Sequence, residues 1–182
     1  MEQRHKKAIL IGVCAAAGAG MLWGLAWLGK FDVYKDKTYG FSIEYPRRWQ
    51  KVVAPQPGAA VVFVSPKENP QDRFQENVNI TVQNVPAEIA TLEDFSDRAV
   101  LQMTKVFKNI KVAETKDITF GQRRGRQVVF VAEKPDAITI LTVWALKGAD
   151  KAYILTYMAA TRSYSTYLPL VQEMIRSFEL KN

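Results

Sequence analysis

Residues 8–29, AILIGVCAAAGAGMLWGLAWLG, run for 22 positions without Asp, Glu, Lys, Arg or His, and no other feature constrains the chain as much. As an α-helix this segment extends about 33 Å, enough to cross a hydrocarbon core. MEQRHKK precedes it, with Arg4, Lys6 and Lys7 opposed only by Glu2. Such a basic flank stays on the cytoplasmic side. The pattern therefore predicts a cytoplasmic basic tail at 1–7, a transmembrane signal anchor at 8–29, a connector at 30–37 and an extracytoplasmic domain at 38–182. Two other readings compete. Ala15-Ala16-Ala17 and Ala17-Gly18-Ala19 have the small-residue spacing of a signal-peptide cleavage site, but cleavage there leaves the apolar MLWGLAWLG on the mature N-terminus. A lipoprotein would use Cys14, yet bulky Val13 precedes it and the apolar run continues well past it. Trp23 and Trp27 share a helix face near the exit, where an aromatic belt belongs, which favours an uncleaved anchor. Gly20 and Gly24 have the G-x-x-x-G spacing that lets two membrane helices approach, and they form the candidate face of a homodimer.

The exported part is about 150 residues, one domain in size. Of the chain's formal charge of +7, the first 30 residues carry +3, which leaves +4 for residues 31–182. That mild excess suits an acidic partner or anionic lipid heads and does not call for nucleic acid. The single cysteine is Cys14 and the single histidine is His5, so the exported domain contains neither. Disulfides within it, Ser-His-Asp and Cys-His catalysis, and Cys/His zinc sites are excluded on residue type. Carboxylate chemistry survives. Asp72 and Glu76 lie in an amide-rich stretch, 69–77, but without calcium-loop spacing and with Arg73 among them. Asp94 and Asp97 are three apart near a helix start and could share a face, as a carboxylate-based hydrolase would need. Acids at that position ordinarily cap the helix or face solvent. No cofactor, metal ion or catalytic residue is expected, and the domain reads as non-enzymatic.

Alternation of period two marks strands at 41–45, 59–65, 78–85, 110–119, 126–132, 137–146 and 152–159. The 59–65 run is nearly all apolar, which predicts burial on both faces. Asn79-Ile80-Thr81 matches a glycosylation acceptor, yet it lies inside an alternating strand and reads as chance. Gly121 and Gly125, then Lys134-Pro135-Asp136, then Lys147 to Asp150, supply three short turns and hence antiparallel hairpins. A helix starts after Thr91, its N-cap, with Leu92, Phe95, Ala99, Met103 and Val106 on one face. A second helix is predicted over 166–178, with Pro169 in its first turn. The class is α+β, a mainly antiparallel sheet covered by two amphipathic helices.

The order of these motifs resembles the PsbP-like family. Residues 39–49, YGFSIEYPRRW, are similar to its G-F-x-[FI]-x-Y-P-x-x-W opening. Val61 to Pro66, Asn77 to Val82, Leu92-Glu93-Asp94-Phe95, Tyr153 to Tyr157 and Met174 to Phe178 follow in the family's order. The resemblance covers about residues 38–180. It implies an α-β-α sandwich and a non-catalytic binding or adaptor role, assisting assembly or stability of a membrane protein complex. In a photosynthetic source it implies a photosystem II extrinsic or assembly factor. Histidine-based metal sites of plant relatives do not transfer, because this domain has no histidine. The expected partner is a membrane-associated protein. The candidate contact residues are the exposed arginines of two turns: Arg47 and Arg48 in one, Arg123, Arg124 and Arg126 in the other.

Overall fold

A computed structural model describes residues 31–53, 58–107, 109–132 and 138–181. The predicted anchor, with Gly20 and Gly24, lies outside them. Among the described residues no helix is long and apolar enough to cross a membrane.

Ten strands and two helices are described. They run β1 (Phe31–Asp36), β2 (Phe41–Pro46), β3 (Gln50–Val53), β4 (Ala59–Val64), β5 (Asn77–Asn84), α1 (Leu92–Val106), β6 (Ile110–Phe120), β7 (Arg123–Ala132), β8 (Ile138–Lys147), β9 (Lys151–Ala160), α2 (Tyr164–Ser177) and β10 (Glu179–Leu180). Seven strands form one sheet in the order β3-β4-β5-β9-β8-β7-β6, and β1-β2-β10 form a second. The seven predicted strands are all present. Three more, β1, β3 and β10, were not anticipated, and β1 occupies the segment expected to be a connector.

Pair register assigns each side chain of the large sheet to a face. Phe63, Val78, Tyr157, Leu141 and Val129 lie opposite one another in one row. Because side chains alternate along a strand, the row shares a face. The small sheet and α2 cover that face. Phe178, just past α2, stacks on Phe120 at 4.1 Å and on Phe41 of β2 at 5.4 Å, and its ring meets Tyr153 edge-on. Each such aromatic contributes about 1.5–3 kcal/mol through burial. The opposite face carries Val128, Phe130, Ile140, Trp144 and Ala152, which pack with Leu92 and Phe95 of α1.

α1 begins as predicted, with Thr91 Oγ1 accepting from the Asp94 amide at 3.0 Å. Its last turn runs beyond the core, so Val106, expected on the apolar face, is 72% exposed. On α1's side of the sheet the helix overlies β7 and β8, leaving Val62 and Val64 of β4 only half-buried rather than covered on both faces. α2 starts two residues earlier than predicted. Pro169 therefore lies inside the helix, past the first turn, and removes one backbone donor.

The β6–β7 turn is Gly121-Gln122, both with φ of 60°. Two consecutive positive φ values make a type I′ turn, whose twist suits a hairpin. Gly125 is not part of that turn but sits within β7. A Cβ there would lie 3.0 Å from Phe120 Cβ and 3.1 Å from the Trp144 carbonyl, so the strand needs a glycine.

Candidate binding surfaces

The β2–β3 turn is built by Pro46 and Trp49. Pro46 ends the strand, and its carbonyl accepts from the Trp49 amide at 2.8 Å. Trp49 folds inward, 5% exposed, with its ring edge-on to Tyr167 of α2 at 5.9 Å. That closure leaves Arg47 and Arg48 pointing outward. Arg47 Nε donates to Asp32 Oδ1 at 2.9 Å, linking the turn to the start of β1.

The second predicted cluster divides by strand period. Arg124 and Arg126 lie on the α1 face of β7, and Arg123 lies on the other. Arg124 meets Glu93 at 2.5 Å and Asp117 at 2.8 Å. Arg126 donates to Asp117 at 3.4 Å and to Ser96 Oγ at 3.2 Å, and it stands 3.6 Å from both Glu93 and Asp97. These two arginines fasten the first turn of α1 to the β6–β7 hairpin. The Arg124 hydrogen bond is the main cause holding the Asp117 carboxyl below the usual carboxylate range, with Arg126 assisting. Asp97, half of the carboxylate pair considered for hydrolysis, is thus an ion-pair partner, and Asp94 is exposed beside it.

The two turns do not make one surface. β3 and β7 are five strand spacings apart, about 24 Å at ~4.8 Å each. They also lie at opposite ends of the strands: Gln50 aligns through Val64 and Asn77 with Met158, whereas Gly125 aligns through Ala145 with Tyr153.

What joins Arg47 and Arg48 instead was not read from the sequence. The 65–76 loop and the β9–α2 turn leave the same end of neighbouring strands. Tyr167 of α2 meets Trp49 edge-on, and burial, with nearby Glu68 assisting, pushes its phenol pKa up. This end exposes Lys67, Arg73 and Arg162 alongside Arg47 and Arg48. Lys67 and Arg73 line a concavity of about 590 Å³ with Pro70, Gln71, Asp72 and Gln75. Of its lining, Asp72 accepts from the amides of Glu68 and Phe74 at 3.1 Å each, and elsewhere in the loop Glu76 accepts from Ser65 Oγ at 3.2 Å. Among the described residues no group of three or more His, Cys, Asp or Glu is placed to hold a metal ion. Beneath the loop, Tyr157 donates to the Tyr164 carbonyl at 3.0 Å. Burial pushes the Tyr164 phenol up to about 12 and Tyr157 further up, Glu76 adding to the latter, so both remain neutral at physiological pH.

The described residues form an antiparallel α+β domain with a helix on each face of its large sheet. The chain belongs to the PsbP family, whose sequence profile matches residues 29–180. No curated protein matches it. Among solved structures it resembles the cyanobacterial PsbP (CyanoP) from Synechocystis sp. PCC 6803, with a TM-score of 0.62, 15% identity and coverage of 84% of this chain and 93% of that one. LpqN of Mycobacterium tuberculosis, described as involved in cell envelope biogenesis, gives a TM-score of 0.60 at 12% identity, covering 84% and 91%. The Saccharomyces cerevisiae Ran-binding protein Mog1p gives 0.60 at 11% identity, covering 82% and 95%. At these identities the likeness is one of fold.

Proposed function

We propose that this chain is a non-catalytic binding module, held at the extracytoplasmic face of a membrane by residues 8–29, that assists assembly or stability of a membrane protein complex. The observation that carries this reading is the juxtaposition of a PsbP domain at 29–180 with an uncharged run ending at Gly29. The fold supports it, since one solved relative is described as Ran-binding and so engages another protein. A PsbP-type domain abutting the membrane meets partners within or beside the bilayer. Of the five candidate arginines, Arg124 and Arg126 hold the fold, which leaves Arg47, Arg48 and Arg123 for contact. Gly20 and Gly24 add a route to a homodimer within the membrane.

Likeness to CyanoP favours a narrower version, a photosystem II extrinsic or assembly factor in a photosynthetic source. Affinity capture of the full chain from detergent-solubilised membranes tests both. The expected result is one membrane complex recovered with the wild type and depleted with the Arg47→Glu, Arg48→Glu, Arg123→Glu variant. Photosystem subunits in that complex would select the narrower reading. Recovery of no membrane protein by a correctly folded chain would refute the adaptor role.

A further inference from the structure

We infer that the 65–76 loop forms a binding site for a small polar carboxylate, whose anionic group lies between Lys67 and Arg73. The site is separate from the arginines assigned above to partner contact, and its ligand is a soluble molecule rather than a protein.

Three observations carry this. The first is that the loop holds itself in one shape. Its ends are clasped by the Ser65 amide, which donates to the Glu76 carbonyl at 2.8 Å, and by Ser65 Oγ, which donates to the Glu76 carboxylate at 3.2 Å. Gln75 Nε2 donates to the Ser65 carbonyl. At the tip, Asn69 accepts from the Gln71 amide at 2.9 Å through its side chain and from the Asp72 amide at 3.0 Å through its carbonyl. A surface loop closed at its ends and braced by its own side chains is preorganised, so a ligand has little left to order.

The second is the hollow this loop encloses. At about 590 Å³ it falls within the roughly 300–1,000 Å³ of ordinary ligand clefts. Lys67, Pro70, Gln71, Asp72, Arg73 and Gln75 line it, and only the Pro70 ring among them is apolar, so recognition there is polar.

The third is how the charges are used. Asp72, the one acid among these six, is buried, with Oδ2 accepting from the Glu68 amide and Oδ1 from the Phe74 amide. Its carboxylate is committed to the loop's own backbone. Glu68, the loop's exposed acid, lies outside the lining and near Tyr167. Lys67 and Arg73 are exposed and enter no ion pair among the described residues. Two positive charges against one negative leave a balance that a single carboxylate neutralises. A phosphate dianion would leave negative charge in excess beside buried Asp72. Arg73 offers a planar fork that matches a carboxylate, and Lys67 adds a point charge. The Gln71 side-chain amide and Gln75 Oε1 are placed in the lining to bond a ligand's hydroxyl groups.

The test titrates the isotopically labelled full chain with gluconate, a polyol bearing one carboxylate, and follows amide shifts by NMR at constant ionic strength. Sorbitol and inorganic phosphate are the comparisons. Gluconate should saturate shifts confined to residues 65–76 with a dissociation constant of about 1 mM or lower, and sorbitol should bind at least about tenfold more weakly. Lys67→Gln with Arg73→Gln should weaken gluconate at least about tenfold, whereas Lys67→Arg with Arg73→Lys, which keeps both charges, should retain most of the affinity. Arg47→Gln with Arg48→Gln, outside the lining, should leave it within about twofold. Shifts scattered over the whole domain, equal binding of gluconate and sorbitol, or unchanged affinity in the Lys67→Gln, Arg73→Gln variant would each overturn the proposal. Phosphate bound more tightly than gluconate would overturn the carboxylate assignment. A poly-glutamate peptide bound more than about a hundredfold more tightly than gluconate would overturn the soluble ligand in favour of an acidic protein segment.

Discussion

The β2–β3 turn and the β6–β7 hairpin each put arginines on a surface turn, and they put them to different uses. In the hairpin, Arg124 and Arg126 meet three carboxylates, two of which come from the first turns of α1. Those cations close a joint between helix and sheet. In the β2–β3 turn the structural content sits in Trp49 and Pro46, and the arginines point outward, Arg47 paired with Asp32. A basic turn is thus defined by what faces it. One acid-rich helix start turns arginine into a brace, and its absence leaves arginine free for a partner or a membrane.

The sharpest way to separate scaffold from surface is within the β2–β3 turn itself. Trp49→Ala removes a 5%-exposed ring from its seat on Tyr167 and should cost about 3–5 kcal/mol. Arg47→Ala and Arg48→Ala should each stay within about 0.5 kcal/mol, as exposed substitutions do. Urea unfolding of the three variants checks this. A loss above about 2 kcal/mol at Arg48 would show that the turn's arginines are structural after all.

In the hairpin, the backbone should matter more than the charges. Gly125→Ala forces a Cβ against Phe120 and a backbone carbonyl of β8, neither of which can rotate away, at a cost of about 1–3 kcal/mol. Arg126→Ala should cost somewhat less, about 1–2 kcal/mol, because the side chain is 19% exposed and several partners remain satisfied by Arg124 and water. Thermal melts of both variants would rank them, and a larger loss at Arg126 would reverse the order. Their double mutant should be close to additive if Gly125 acts through packing and Arg126 through charge.

How much of this was legible follows from which side chains face inward. Clean alternation in 41–45 and 78–85 revealed β2 and β5, and the Thr91 cap announced α1. β1 was missed because its pattern is inverted. Tyr34 and Asp36 point in, with the Tyr34 hydroxyl donating to Asp36 at 2.8 Å, while Val33 points out at 55% exposure. Buried Asp36 also accepts from the Tyr39 amide, which makes its burial tolerable and hides it from any hydrophobicity reading. β3 and β10 are short edge pieces. Arg123, Arg124 and Arg126 were expected to share one exposed turn because the period of two, applied within the strand, was not applied to the residues before it. The cationic Pro46 end had no local signature. Arg47, Lys67 and Arg162 come together only because β9 inserts between β5 and β8, a matter of strand order.

The smallest expected effect distinguishes the two turns by pH. Arg124 holds Asp117 ionised below its ordinary range, chiefly through the hydrogen bond, so folding favours the carboxylate. A group whose folded pKa is depressed contributes stability above its unfolded value, near 3.9, and loses it as pH falls through the folded value. The difference in unfolding free energy between the wild type and Asp117→Asn should therefore be constant from neutral pH down to about 5 and should shrink toward zero in more acid solution. For Arg48→Gln the corresponding difference should be flat over the same range, since among the described residues that arginine forms no ion pair with a carboxylate. Urea titrations at pH steps between 7 and 2.5 measure both curves. If the Asp117 difference is flat or grows in acid, the Asp117–Arg124 pair does not stabilise the folded hairpin, and that part of the contrast with the β2–β3 turn is lost.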